Sequence, residues 1–372
     1  MNQNIPAGDA GNTDVSSVIK RVKNHSFHPI KDGFTYDKDL NVQGVADFDD
    51  KDWLVRTLSV RDLVCANGEV SVEKMMHALN DKNPHVRQIV SMALGILGEK
   101  KAVESLKMMA AVDPDEVVRA QVVKSLGQIN DPGSLEILTS AKENDESKDV
   151  RHQAALAEYA VKKGYRVTPE LALAFQQLNE TNFHQAEIGK TPPMFNLPDT
   201  KGNTWDLSDH LGKSPIVLVW IFADWCPVCH REFQELFELQ SEFKERGIEL
   251  CTLECHDIYP ARVMTGQEFE PEYWFSEDDF YESYTEKIWW PHLADRAGVA
   301  ATQFGVQTMA FTVHAEWINR PAVTIIDEEG IVRYIYQGTF WGDRPSMQDV
   351  LDMIEADKYD YISPDRLTKN NS

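Results

Sequence analysis

Apolar positions in the first part of the chain fall at helical spacing, and the spacing repeats. After Val86-Arg87 come Ile89, Val90, Ala93 and Leu94 with Gly95 behind them; after Val118-Arg119 come Val122, Val123 and Leu126 with Gly127; after Val150-Arg151 come Ala154 and Ala155. Each set is one apolar stripe of a helix with a single buried face. The Val-Arg pair itself recurs at Val55-Arg56, Val86-Arg87, Val118-Arg119 and Val150-Arg151, at intervals of 31, 32 and 32 residues. Each unit runs on into a second stretch, Lys101 to Ala111 and Pro132 to Ala141, with Asn83-Pro84 and Asp113-Pro114 at the joins. Helix, turn, helix at a fixed period of this size predicts a stacked array in which every unit buries its apolar face against its neighbours. The Val-Arg pairs read as architecture, with Val in the core and Arg tying one unit to an acid of the next.

The pattern changes character beyond residue 164. A polar connector runs to Lys190, and Thr191-Pro192-Pro193 marks a boundary, because prolines stop a helix and hold an extended path. A small hairpin is predicted from Met194 to Leu207 with a turn at Asp199 to Gly202, then a short helix from Ser208. Ile216 to Phe222 is a continuous apolar run of the length of a buried central strand, and further strands are expected at Ile248 to Leu253, Ala322 to Asp327 and Ile331 to Gln337. Ser346 with Asp349 forms a capping-box pattern ahead of Val350, Leu351 and Ile354, announcing a last helix after Arg344-Pro345.

Composition narrows the function classes. The formal net charge is −23 over 372 residues, and from Lys190 onward 15 Lys and Arg stand against 32 Asp and Glu, compared with 22 against 28 before it. Nucleic acid is therefore not an expected partner, since phosphate binding needs a basic face. No apolar run is long enough for a membrane span and no basic head with an apolar core opens the chain, so neither membrane nor secretory signal is expected. Five cysteines is a sparse, odd number that fits a reducing compartment, here the cytoplasm.

Chemistry concentrates in Trp225-Cys226-Pro227-Val228-Cys229, which follows the apolar strand directly. Phe233, Leu236, Phe237 and Phe243 give a helical stripe behind it, and Pro227 falls where a first helical residue has no N–H to lose. Cys226 is thereby placed at the helix N-terminus, where free N–H groups and the helix dipole lower a thiol pKa. Two thiols separated by two residues at that place can close a reversible disulfide. A zinc site would need a second ligand pair, and none is visible, so no metal and no cofactor is expected.

Strand, Trp-Cys-Pro-x-Cys, then helix resembles the thioredoxin superfamily, within it the redoxin group of peroxiredoxins and bacterial thioredoxin-like reductases, over about residues 190–356. The repeats resemble the short bacterial form of HEAT repeats. The resemblance implies that Pro321, in Arg320-Pro321 ahead of the Ala322 strand, is a cis-proline facing the cysteines, and Arg320 beside it would then stabilise a thiolate or else pair with a local acid. Leu293-Ala294-Asp295 and Val299 to Val306 fit the segment before that strand. The departures are Ala223 and Val219 where peroxiredoxins carry Thr and Pro, and Trp220 where thioredoxins carry a buried Asp. Cys255 and His256, at the end of the neighbouring strand, are either a resolving thiol and soft-metal ligands or a buried Cys beside a loop His. Cys65 and Cys251 read as core cysteines.

The expected architecture is multidomain: a 1–48 extension, an all-α HEAT-like solenoid over 49–164, a 165–190 linker, an α/β thioredoxin-like domain over 191–361 and a 362–372 tail. Residues 268–286 hold eight acids, no base and seven aromatic rings, an insertion that either covers the cysteines, docks a basic partner or packs on the repeats. The expected activity is thiol-disulfide exchange at Cys226 and Cys229, with a protein thiol, disulfide or electron donor held by the repeats. The alternatives are a thiol peroxidase with Cys226 as sulfenic acid, and a redox-sensing or Cu(I)-binding scaffold.

Overall fold

The computed structural model describes residues 51, 56, 59–60, 69–164, 185–224, 226–267, 288–306, 312–313, 316–338 and 343–362. The expectations for residues 1–48, Cys65, most of the 165–190 linker, Trp225, the 268–286 insertion and the tail beyond residue 362 fall outside that set. The chain divides into two units, taken in turn.

Among the described residues of the first unit six α-helices follow one another: α1 (Glu69–Ala78), α2 (Pro84–Ile96), α3 (Val103–Val112), α4 (Glu116–Ile129), α5 (Leu135–Asn144) and α6 (Lys148–Lys163). Asn83 caps α2 by accepting the His85 N–H, and Asp115 caps α4 by accepting those of Val117 and Val118. Asn130 and Gly164 end α4 and α6 in the left-handed conformation that stops a helix. Val86, Val118 and Val150 are completely buried. The arginine after each reaches the next unit: Arg56 lies 2.7 Å from Asp81, Arg87 2.8 Å from Asp113 and Arg119 2.8 Å from Asp145. All three pairs are two-pronged, with both Nε and Nη2 donating to the carboxylate. The same carboxylates accept the N–H two residues on, at Asn83, Asp115 and Ser147, so each rung also fixes the start of the following helix.

Gly127 lets α4 and α6 touch. A Cβ there would stand 2.7 Å from the Ala157 Cβ and 2.8 Å from its Cα, and backbone cannot swing away. Gly127→Val should therefore destabilise the array by roughly 1–3 kcal/mol through overpacking, net of its better helix propensity, read as a lower urea midpoint. Unchanged stability would show that the two helices have room to part.

The second unit holds a five-stranded sheet in the order β5-β4-β3-β8-β9. Its strands are β3 (Ile216–Trp220), β4 (Glu249–Glu254), β5 (His292–Ala294), β8 (Ala322–Ile326) and β9 (Val332–Gln337), after a hairpin of β1 (Asn196–Pro198) and β2 (Thr204–Asp206). A separate short antiparallel pair, β6 (Thr312–Val313) and β7 (Glu316–Trp317), falls in the first unit and not in this one. β3 pairs parallel with β4 and antiparallel with β8, and every residue of β3 and β8 is buried, as the continuous apolar runs require. Helices α7 (Pro227–Glu238), α8 (Gln240–Glu245), α9 (Ile258–Met264), α10 (Val299–Gln303) and α11 (Met347–Ala356) complete it. The capping box of Ser346 and Asp349 is present at α11, and Gly330, at φ 80°, turns β8 into β9. One core cluster gathers Leu218, Trp220, Leu253, Leu293 and Phe304.

Pro321 is a correction. No cis peptide bond occurs among the described residues, so Pro321 follows Arg320 in trans. Its carbonyl accepts the Gly338 N–H at 2.7 Å, continuing the β8–β9 ladder outward, and the extended chain there calls only for the isomer an X-Pro bond already prefers.

Candidate active site

The buried β3 strand delivers the chain to a tight loop whose end is the N-terminus of α7. Ile221 N–H donates to Leu253 on β4, Cys226 N–H donates to Ala223, and the Cys226 carbonyl accepts from Cys229 and His230 as the helix begins. Cys226 is the N-cap and Pro227 opens the helix, as the sequence predicts. His230 closes the loop from inside, its Nε2–H donating to the Asp224 carbonyl at 2.5 Å; burial drives its pKa down to about 4, so it stays neutral.

Two thiols and one guanidinium meet here. Cys226 is 1% exposed and Cys229 is completely buried. Cys229 Sγ accepts the Phe222 N–H at 3.2 Å and faces Arg344, with Nη2 at 3.5 Å and Nη1 at 3.6 Å. The Cys226 thiol donates to it as well. Against the burial that opposes any buried charge, the Cys226 thiol, Arg344 and the backbone N–H groups pull Cys229 down to about 5. Cys226 goes the other way: burial and its hydrogen bond to Cys229 raise it well above the ordinary thiol range. The expectation that the helix N-terminus makes Cys226 the thiolate is thus corrected. A helix end contributes about 0.3–1 kcal/mol, and the nearby full positive charge of Arg344 lies on Cys229, so the single negative charge of the pair settles there.

Two further residues complete this group. Glu232 lies one turn after Cys229 on α7, buried, and is ion-paired to Arg344. Burial raises its carboxyl to about 7, with Arg344 opposing and the Cys229 charge adding to the rise. An acid at i+3 from the second cysteine, on the face shared with Phe233 and Leu236, is a signal that periodicity could have found. Arg344 comes from the segment before α11, 115 residues away, and no local pattern marks it.

The remaining candidates lie apart. Arg320 holds backbone at the end of β9: its Nε donates to the Gly338 carbonyl at 2.8 Å and its Nη1 to the Gln337 side-chain oxygen at 3.4 Å. Cys255 is buried at the end of β4 and His256 is half-buried beside it. Among the described residues no group of three or more His, Cys, Asp and Glu is arranged to hold a metal ion, so Cys255 and His256 do not join the two thiols as a ligand set. Beneath α7, His292 packs its edge on Phe233 with ring centroids 5.7 Å apart, meets Thr252 Oγ1 at 2.7 Å and lies 3.4 Å from Glu254; burial takes its pKa to about 3.

Residues 188–335 match the AhpC/TSA family model, and residues 45–123 and 110–158 match HEAT repeats. The C-terminal part is an AhpC/TSA-type redoxin domain. It has the thioredoxin-like fold, and the N-terminal part is a HEAT-repeat array. The thiol-disulfide oxidoreductase ResA of Bacillus thuringiensis is 32% identical over 77 residues, 21% of this chain and 43% of that one. ResA of Geobacillus kaustophilus is 28% identical over 152 residues, 41% of this chain and 70% of that one. The chain thus spans about two fifths of the length of the first curated relatives it matches. The reduced 2-Cys peroxiredoxin of Plasmodium vivax overlays with a TM-score of 0.37 at 19% identity, over 45% of this chain and 80% of that one.

Proposed function

We propose that the protein is a thiol-disulfide oxidoreductase that cycles Cys226 and Cys229 between dithiol and disulfide. The observation that carries this reading is the convergence of two thiols and one buried guanidinium at the start of α7. Cys226 passes its proton along its hydrogen bond to the Cys229 thiolate and attacks one sulfur of a substrate disulfide; that S–S bond breaks, the first substrate sulfur leaves as a thiol by taking the proton from Cys229, and a mixed disulfide forms beside a regenerated Cys229 thiolate. The Cys229 thiolate then attacks Cys226 Sγ and displaces the second substrate thiolate, so two electrons have passed to the substrate and the Cys226–Cys229 bond has formed. Arg344 and the Phe222 N–H keep Cys229 ionised for that second step, and Glu232, at about 7, can accept or return a proton near neutrality. The HEAT array holds the protein substrate or electron donor in this reading; α3 leaves Met108 and Val112 exposed, 64% and 70%, as a contact surface would. The sparse cysteines support a cytoplasmic setting.

Insulin disulfide reduction with a dithiol donor tests the activity. The wild type should precipitate the insulin B chain, Cys226→Ser should lose all catalysis, and Cys229→Ser should accumulate a mixed disulfide. Failure of the reduced protein to form a Cys226–Cys229 bond under mild oxidation would sink the reading.

A second reading, a thiol peroxidase in which Cys226 becomes a sulfenic acid resolved by Cys229, is favoured by the AhpC/TSA match over residues 188–335. Ala223 and Val219 stand against it. Stoichiometric hydrogen peroxide should then oxidise Cys226 within seconds, whereas oxidation over many minutes leaves the exchange reading alone.

A further inference from the structure

Arg344 reaches Cys229 from just ahead of α11 and belongs to no helix or strand itself, so something other than a ladder of backbone bonds must set its place. The residues just before it and the end of β9 do this together. Beyond Gln337, the last residue of β9, Gly338 donates its N–H to the Pro321 carbonyl at 2.7 Å and accepts Arg320 Nε–H at 2.8 Å, which locks Gly338 from both sides. Gly338 in turn lies flush against the backbone of Asp343: a Cβ on it would stand 2.2 Å from the Asp343 carbonyl oxygen. The Asp343 side chain is buried and accepts the Tyr336 hydroxyl of β9. Arg344 is the next residue.

We infer that Arg320 with Gly338, and Tyr336 with Asp343, form a latch that positions Arg344 against Cys229, making Arg320 and Tyr336 positioning residues for the dithiol. Arg320 acts one step removed, holding the carbonyl side of Gly338 while Asp343 packs on the other. Among the described residues the charged and titratable groups around Cys229 are Cys226, Glu232 on α7, Arg344 and, from β5, His292. Of these, Arg344 is the one joined to Asp343 by a peptide bond. Glu232 supplies the opposing hold on the guanidinium, so loss of the latch leaves Arg344 drawn toward Glu232 alone and away from the sulfur.

The inference rests on the dithiol reading above, but its test needs neither substrate nor turnover. Thiolate absorbance of the reduced full-length protein is titrated from pH 4 to 8, and the low step is assigned to Cys229 by its absence in Cys229→Ser. Tyr336→Phe should move that step upward by about one pH unit, which is roughly tenfold less thiolate below the midpoint. In an Arg344→Met background the same change should move nothing further, because it works through Arg344. Arg320→Lys, which gives up the Nε–H to Gly338, enters the same cycle should Tyr336→Phe fold poorly by circular dichroism. A step unmoved in folded Tyr336→Phe, or an equal movement with and without Arg344, overturns the latch. Absence of insulin reduction in the wild type would overturn the proposed activity and leave the latch standing.

Discussion

Replacing Arg344 by methionine should raise the pKa of Cys229 from about 5 by about one to three pH units, the effect of removing one adjacent opposite charge, and slow resolution of the mixed disulfide at neutral pH by up to about tenfold, as far as the thiolate fraction falls. The effect is large because the guanidinium serves two buried groups at once, Cys229 Sγ at 3.5 Å and Glu232. Removing it leaves both to meet burial without a cation. Each responds by holding its proton, so the variant keeps a folded, neutral site instead of a stranded pair of charges. The pH dependence of stability reads out the same exchange. The folded value of Cys229 lies below the ~8.5 of an unfolded thiol, so its contribution is full above ~8.5 and is lost as pH falls toward about 5. Glu232 has the opposite sign: its folded value of about 7 lies above the ~4.3 of a free carboxyl, so its contribution is full below ~4.3 and is lost as pH rises through about 7. The two slopes oppose each other between about 5 and 7, and between about 7 and 8.5 the Cys229 slope stands over that of Glu232. Urea denaturation of the reduced protein at pH 5 and 6 should show the site's share of stability about level in the wild type, where the two slopes oppose, and falling in Arg344→Met, where Glu232 still loses its share while Cys229 gains little until the pH reaches its raised value. Identical pH slopes in the two proteins would place the low thiol pKa elsewhere than Arg344.

How much of this site could be read in the chain depends on the distance over which each contact forms. The strand, the loop and the N-cap at Cys226 are local, and an apolar run of five to seven residues followed by Cys-Pro-x-Cys and an apolar helical stripe determines them with little help from the rest of the protein. The repeat was equally legible, because a 32-residue period writes the same stripe and the same Arg several times over, and the acids that Arg87 and Arg119 grip lie just 26 residues on. What stayed hidden is tertiary. Arg344 meets Cys229 across 115 residues, from a stretch whose only visible signal was the capping box that follows it. Arg320 drew attention by standing next to a proline, and the fold turns it toward Gly338 instead, where it supports the residue that does face the sulfur. Which thiol holds the charge could not be read from the N-cap rule because a helix end is weak beside a whole guanidinium, and the placing of that guanidinium is a property of the sheet edge.

The two units differ in how they resist single changes. The redoxin unit packs a hydrophobic cluster of residues from many elements against one open five-stranded sheet, whereas a repeat array has nearest-neighbour interfaces whose terms add along the chain. Loss of one rung in the array therefore acts on a boundary between units, and the consequence for the whole stack depends on how much that boundary contributes.

Arg119→Met should cost the repeat array about 3 kcal/mol, at the lower end of the cost of breaking a buried ion pair from one side. Arg119 is 7% exposed; its Nε and Nη2 meet Asp145 at 2.8 and 3.0 Å, and its Nη1 donates to the Asp113 carbonyl at 2.9 Å. Methionine fills most of the volume and donates nothing. Asp145 is then left as a carboxylate with side-chain exposure of 10%, holding the Ser147 N–H at the start of α6, and the Asp113 carbonyl loses its donor between α3 and α4. Adding Asp145→Asn should return part of the loss, since an amide oxygen still accepts the Ser147 N–H and no charge is stranded; that recovery separates a charge effect from lost packing. Arg151→Met provides the contrast. Its Nη1 donates to the carbonyls of Asp145 and Glu146, so its removal strands no carboxylate described here and should cost about 1 kcal/mol. Urea midpoints of the three variants, followed by helical circular dichroism, rank the rungs. Equal losses for Arg119→Met and Arg151→Met would mean that the arginines stabilise the stack through their aliphatic stems, and that the carboxylates of the ladder contribute nothing.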